Sequence, residues 1–320
     1  MEVDTKDKSR TLIIGHGSLA TALIYTLPGK LNWYVSNPKV YASIKENKLN
    51  NKHLSYLSLK NSNYELFCDL QEAINESSNI FVVLPSIAIE KTFENINLKN
   101  STIISFTKGI LPISAYFPNE YYKKEKEVNN IIFASGPSHA EDISLNKLTA
   151  LTFFSENLTL AHSIKSYFPE EKFKTYIRRD IHKAEMFSTL KNIMAIFFGM
   201  VKGSECGENL SAVLMCEVIK EINHTLNLRN EETLHYSYLG DLLVTCYSEL
   251  SRNFILGKKT GLEGSFKNEF INESSIPEGV YAIKTLHRKL INTPICDSVY
   301  NVIYGGKSVK EELEKIISKI

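Results

Sequence analysis

Residues Thr11–Leu23, TLIIGHGSLATAL, restrict the fold more than any other stretch of the chain. Thr11 to Ile14 read as a short buried strand. The run Gly15-His16-Gly17-Ser18-Leu19-Ala20 follows, a G-x-G-x-x-A pattern. Leu19, Ala22, Leu23 and Leu27 then fall on one face at helical spacing. Strand, glycine turn and helix form the context that a dinucleotide-binding turn requires. Gly15 allows the tight turn, Gly17 leaves the backbone open to a pyrophosphate, and Ala20 is small enough for close helix–strand packing. The phosphates would meet N–H groups at the positive end of the helix. The same turn without a ligand is the plainer alternative.

The segments that follow fit the same plan. Leu31–Ser36, Tyr64–Cys68, Asn79–Pro85, Ser101–Phe106, Ile131–Ala134, Leu148–Phe154 and Lys172–Ile177 read as further strands. Pro38 suits the first turn of a helix, Asp69 suits a cap before Leu70–Ile74, and Pro85-Ser86 opens a helix through Phe93. Lys45–Lys60 reads as a helix end and a polar loop. Strands alternating with helical patterns imply a mainly parallel sheet covered on both faces. From about Ile181 the texture turns helical: Ile181–Val201, Asn209–Leu226, Tyr238–Tyr247 and Ser308–Ile320. The expected fold is an α/β Rossmann-like dinucleotide-binding domain with a mainly parallel sheet, residues 1–180, followed by an all-α C-terminal domain, residues 181–320.

Composition excludes several classes. A net charge of +1 over 320 residues gives no bulk electrostatic case for nucleic acid or an anionic membrane. The five cysteines are scattered and none forms C-x-x-C, which points to reduced thiols in a cytoplasmic protein and away from a zinc site. No metal site is expected. The charged start MEVDTKDKSR does not read as a signal peptide, and no apolar run reaches membrane-spanning length.

Ligands of open α/β sheets bind beyond the carboxyl ends of the strands. The candidate segments there are the glycine loop, Leu84-Pro85-Ser86, Thr107-Lys108-Gly109 and Ser135-Gly136-Pro137-Ser138. Lys108 is the one cation at such a strand end. The end of the second strand, Ser36-Asn37-Pro38-Lys39, carries no acid to repel a ribose phosphate, so NADP(H) is permitted beside NAD(H). In the helical half, Lys191 interrupts the apolar segment MFSTLKNIMAIFF. A lysine there lies at a helix edge, snorkels to the surface, or is held in a pocket with a lowered pKa; by composition alone the first two are the plainer reading. Gly240-Asp241 reads as a helix cap, and Arg252-Asn253 as an exposed helix start.

Taken in order, GHGSLATAL, FVVLPS, SFTKGI, SGPSHAE, LKNIMAI, GEN, LGDLLVTC, LSRNFILG and PEGV resemble the bacterial NAD(P)-dependent glycerol-3-phosphate dehydrogenase family, from about Leu12 to Leu286. The resemblance implies reduction of dihydroxyacetone phosphate to sn-glycerol 3-phosphate with a nicotinamide cofactor. It makes Lys191 the catalytic lysine, with Lys108 as its cationic neighbour. It places Gly136, Ser138, Asn192, Asp241, Thr245, Ser251, Arg252 and Asn253 with Lys108 around a small phosphorylated substrate. It assigns Gly15, Gly17, Ser18, Leu19, Ala20, Pro85, Lys108, Ala140, Arg252, Ile276 and Glu278 to the cofactor. A homodimer is common in the family.

The chain departs from the family pattern at several points. Leu19 stands where an aromatic is usual, Ser211 where a basic residue is usual, and Glu217 where an arginine is usual. His53-Leu54-Ser55 replaces Y-L-P, His139 replaces a phenylalanine, and Ser188 and Phe197 stand where small residues are common. Two other readings remain open on the sequence. One is a related two-domain NADP-dependent hydroxyacid dehydrogenase or ketopantoate reductase. The other is a nucleotide-binding regulatory protein without catalysis.

Overall fold

The computed structural model describes residues 10–271 and 276–320. Backbone contacts divide the chain into two units. One runs to Thr107 and includes Pro118–Ile181; the other comprises Lys108–Phe117 and His182–Ile320. The segment after the fifth strand therefore belongs with the helical unit, a crossing that a single boundary at residue 180 does not capture.

The first unit holds an eight-stranded sheet: β1 Thr11–Ile14, β2 Leu31–Tyr34, β3 Tyr64–Phe67, β4 Asn79–Val82, β5 Thr102–Ser105, β6 Asn130–Ser135, β7 Thr149–Phe154 and β8 Phe173–Arg178. The order is β3-β2-β1-β4-β5-β6-β7-β8. Every neighbouring pair is parallel except β6 with β7. The first six strands in this order reverse direction of travel at β1/β4, where doubly wound sheets bind ligand. Leu12, Ile13 and Ile14 are fully buried, as expected of a central strand covered on both faces.

Helices α1 Ser18–Thr26, α2 Pro38–Asn47, α3 Leu70–Asn75, α4 Ser86–Phe93, α5 Pro118–Glu125, α6 Ala140–Ser144 and α7 Leu158–Lys165 accompany the sheet. Local chemistry starts them where the sequence places them. Asn37 accepts from Lys39 N and Val40 N ahead of Pro38, and Asp69 accepts from Glu72 N at 2.7 Å. Each such cap contributes about 1 kcal/mol. Helices α5, α6 and α7 are short and were not read from the sequence.

The second unit is helical: α8 Ile181–Gly203, α9 Glu208–Leu226, α10 Asn230–Thr233, α11 Asp241–Cys246, α12 Arg252–Glu263, α13 Glu278–Leu286, α14 Pro294–Ile303 and α15 Val309–Ile317. The 23-residue α8 is long and apolar enough by composition to cross a membrane, but its apolar stretch is almost wholly buried in the protein. It is the core helix of this unit. Two glycine pairs let α12 lie against it at backbone contact. A Cβ on Gly199 or Gly203 would collide with the carbonyls of Phe254 or Lys258, and one on Gly257 or Gly261 with those of Ile196 or Met200. The G-x-x-x-G spacing on both helices places each pair on one face.

Candidate active site

The glycine turn has the predicted geometry. Gly15 has φ +125°, and a Cβ there would strike the carbonyl of Val83. Gly17 caps α1, and a Cβ there would meet nothing within 4 Å. That open space beside a helix N-terminus fits a ligand phosphate. Ser18 and Leu19 begin α1. Ala20 is fully buried, and Leu19 packs partly on the core of the first unit. The loop carbonyls are engaged by side chains that the sequence reading passed over. Trp33 Nε1 donates to Gly15 O at 2.6 Å, Asn50 Nδ2 to His16 O at 2.9 Å, and Thr21 Oγ1 to Gly17 O at 3.0 Å.

Four predicted residues of the helical unit meet in one buried cluster. Lys191, in the middle of α8, is only 3% exposed. Its Nζ donates to Asp241 Oδ1 at 2.5 Å and to Thr245 Oγ1 at 3.0 Å. Thr245 Oγ1 in turn donates to Asp241 O at 2.6 Å. Lys108 Nζ approaches Asp241 Oδ2 at 3.2 Å, and its side chain keeps some exposure while Asp241 has almost none. Lys191 is therefore not a lysine at a helix edge: a buried carboxylate and a hydroxyl hold it in the interior. Gly240 is the N-cap of α11, and the Asp241 side chain turns to the two lysines instead of capping that helix. A π-turn, Tyr236–Gly240, runs straight into α11, and Asp241 N–H donates to Tyr236 O. Such turns displace one residue from the regular helical face, and no sequence pattern here signals it.

The charges perturb one another. Burial pulls the Lys191 ammonium down, the Asp241 carboxylate opposes that, and the Lys108 ammonium adds to the fall; the net value is about 8. Burial alone would raise the Asp241 carboxyl, but the ammoniums of Lys108 and Lys191 hold it below the usual aspartate range. The cluster thus stores a lysine that can give up a proton near neutral pH, beside a carboxylate that stays ionised.

A second group forms where α8, α12 and α13 meet. Asn192 Nδ2 donates to Glu278 Oε2 at 3.3 Å. Asn253 Oδ1 accepts from Gly279 N at 2.9 Å, and a Cβ on Gly279 would strike the Asn192 carbonyl. Ser251 caps α12 by accepting from Phe254 N. Arg252, the first residue of that helix, is exposed as expected. Ile276, half-buried, precedes the cap Pro277.

The remaining predicted residues lie in the first unit. Pro85 caps α4. Gly136 has φ +155°, and a Cβ on it would collide with the Ala150 carbonyl. Ser138 Oγ donates to Gly136 O at 3.0 Å, and Ala140 opens α6. The divergent positions are accommodated. Ser211 is buried, its hydroxyl donating to Gly207 O. Glu217 pairs with Lys220, and Phe197 is fully buried core. No group of three or more histidine, cysteine or acidic side chains that could hold a metal ion occurs among the described residues.

A doubly wound sheet with a glycine turn at its first strand, joined to a helical unit with a buried lysine–carboxylate cluster, defines an NAD(P)-dependent oxidoreductase. Residues 11–161 match the model for the NAD-dependent glycerol-3-phosphate dehydrogenase N-terminus, and residues 180–314 the model for its C-terminus. The chain is 32% identical to glycerol-3-phosphate dehydrogenase [NAD(P)+] of Clostridium botulinum (strain Eklund 17B / Type B) over 326 residues, 97% of each chain. It is 30% identical to the Mycoplasma mobile protein of that name, over 95% of each chain. Its fold is similar to the crystal structure of glycerol-3-phosphate dehydrogenase from Coxiella burnetii, with a TM-score of 0.87 at 23% identity over 97% of this chain and 99% of that one. A probable 2-dehydropantoate 2-reductase from Bacillus subtilis reaches a TM-score of 0.56 at 12% identity over 95% and 99% of the two chains. The chain belongs to the NAD-dependent glycerol-3-phosphate dehydrogenase family.

Proposed function

We propose that the protein reduces dihydroxyacetone phosphate to sn-glycerol 3-phosphate, using NADH or NADPH, and so supplies glycerophospholipid synthesis. The observation that carries this reading is the buried Lys191–Asp241–Lys108 cluster in a chain of this family. When bound, the nicotinamide cofactor supplies the reducing equivalents for the carbonyl carbon. The glycine turn fits its pyrophosphate, with Ser18, Leu19 and Ala20 at the start of α1, Pro85 beyond the neighbouring β4 and Ala140 at the start of α6. Ile276 and Glu278 are assigned to the same cofactor.

Lys191 acts as the general acid. Its Nζ gives a proton to the substrate oxygen as charge builds there, and takes the proton back in the oxidative direction. A lysine pulled down to about 8 sits near the working pH, where such transfer is most effective. Asp241 and Thr245 fix the direction of Nζ. Lys108, on the other carboxylate oxygen, adds positive potential for the developing alkoxide. Arg252 suits the substrate phosphate through its planar donor fork, at the N-terminus of the 12-residue α12. Asn192 and Asn253 orient the substrate hydroxyls, and Ser251 holds the start of α12. The five cysteines are unpaired, which supports a reducing, cytoplasmic setting; we place the enzyme there as a homodimer.

The test compares oxidation of NADH and of NADPH with dihydroxyacetone phosphate, with unphosphorylated dihydroxyacetone and ketopantoate as controls. Turnover confined to the phosphorylated ketone is expected. Turnover on ketopantoate alone, or on no substrate, overturns the reading. Arg252→Ala should raise the KM for the phosphorylated substrate about 10- to 100-fold, the range of lost charge-assisted hydrogen bonds.

A further inference from the structure

We propose that Trp33, Asn50 and Thr21 are positioning residues for the cofactor: they lock three consecutive peptide planes of the glycine turn so that its N–H groups face the pyrophosphate. The inference rests on the dehydrogenase reading and adds residues that the motif itself does not contain.

The need for a lock follows from the glycines. Gly15 and Gly17 permit a tight turn and close phosphate approach, but the same freedom lets the peptide planes between them rotate. In a trans peptide the C=O and N–H point to opposite sides. A rotated plane would therefore aim a carbonyl dipole at the diphosphate in place of a donor. A hydrogen bond to the carbonyl oxygen fixes the plane and, with it, the direction of the next N–H.

Each of the three carbonyls has such a donor. Trp33, on β2, donates to Gly15 O at 2.6 Å, which sets the His16 N–H. Asn50 donates to His16 O at 2.9 Å, which sets the Gly17 N–H. Gly17 O accepts from Thr21 N, in the first turn of α1, and also from the Thr21 hydroxyl, both at 3.0 Å, and the two together set the Ser18 N–H. Trp33, Asn50 and Thr21 are all fully buried. Asn50 is itself held at both ends. Its Oδ1 accepts from Lys52 N and His53 N, both at 3.1 Å, and its Nδ2 reaches Thr21 Oγ1 at 2.8 Å as well as His16 O. All four of its hydrogen-bonding positions are used, so its amide has one orientation. The polar stretch from Lys45 to Lys60 thus brings one asparagine to the turn from beyond α2.

The test measures Kd for NADH and NADPH by the fluorescence of the reduced nicotinamide, with wild type, Thr21→Val, Trp33→Phe and Thr21→Ser. Thr21→Val removes a donor with little change of shape; Trp33→Phe removes a donor and also part of a fully buried side chain, so Tm is read beside Kd; Thr21→Ser keeps its donor. Kd is expected to rise about tenfold in Thr21→Val and Trp33→Phe, the worth of one such hydrogen bond, and to return close to wild type in Thr21→Ser. The KM for dihydroxyacetone phosphate should stay near the wild-type value. Wild-type Kd values in both donor-less variants overturn the inference. So does a parallel rise in KM for dihydroxyacetone phosphate with a fall in Tm, which would mark a general loss of structure. If the wild type binds neither cofactor, the dehydrogenase reading falls with it.

Discussion

The glycine turn and the lysine cluster both gather positive potential for an anionic ligand, but they are built in opposite ways. The turn is main chain: residues 15–20 are contiguous, and their donors are N–H groups that every residue but proline carries. Its side chains can therefore drift, and Leu19 shows such drift. The cluster is side chain: Lys108, Lys191 and the pair Asp241 and Thr245 of α11 come from three separated segments, and each has a named partner. All four chemical groups are present, while positions outside the cluster, such as Ser211 and Glu217, depart from the family pattern. A site made of main chain depends on shape, and one made of side chains depends on identity.

Changes that strike one region and spare the other can break this contrast. The largest effect is expected from Lys191→Ala, which removes the acid itself: kcat should fall by about 10³- to 10⁴-fold, while NADH or NADPH still binds in a fluorescence titration. Loss of cofactor binding in this variant would show that the two regions are not separable. Next, Asp241→Asn leaves two ammoniums around a neutral amide in a buried site. It should destabilise the fold by about 3–5 kcal/mol, as broken buried pairs do, read as a lower midpoint in urea. Gly15→Ala acts on shape alone. The forced left-handed φ and the collision with Val83 O should cost about 3 kcal/mol and weaken cofactor binding in the same variant. A kcat at saturating cofactor that falls as far as in Lys191→Ala would sink the distinction.

The smallest effect is in pH dependence. With Lys191 as the proposed acid, reduction requires it protonated, so kcat for reduction should decline above about pH 8, tenfold per unit. Oxidation needs the neutral amine, so its kcat should rise towards that pH and level off beyond it. Profiles that move in the same direction would remove Lys191 from proton transfer. The stability signs differ for the two partners. Asp241, held below its usual range, contributes stability above the unfolded value that is lost as pH falls. Lys191, held below its own, favours the fold more as pH rises from about 8 towards the unfolded lysine value.

The strands were legible because each is a short β-branched or apolar run bounded by turn formers, and the start of α2 at Pro38 and the cap at Asp69 because one residue decides each. The G-x-x-x-G pairs at Gly199/Gly203 and Gly257/Gly261 were present as spacing, but only the packing of α12 on α8 gives them meaning. Asn50 had no local signal at all: it is one more asparagine in a polar loop until the fold brings it to His16 O. Helices α5, α6 and α7 were not read from the sequence, although α7 starts at an asparagine cap, Asn157, of the same kind as Asp69 before α3.

By itself the sequence determined the alternating α/β half, the helical half, and the phosphate-binding turn, since these follow from neighbouring residues through periodicity, chain stiffness and main-chain sterics. The tertiary structure alone decided the state of Lys191. Composition favours a lysine at a helix edge, and whether it is solvated or pulled towards neutrality depends on Asp241 and Lys108, 50 and 83 positions away along the chain. Electrostatic energy depends on distance through space and on burial, and neither is set by position in the chain.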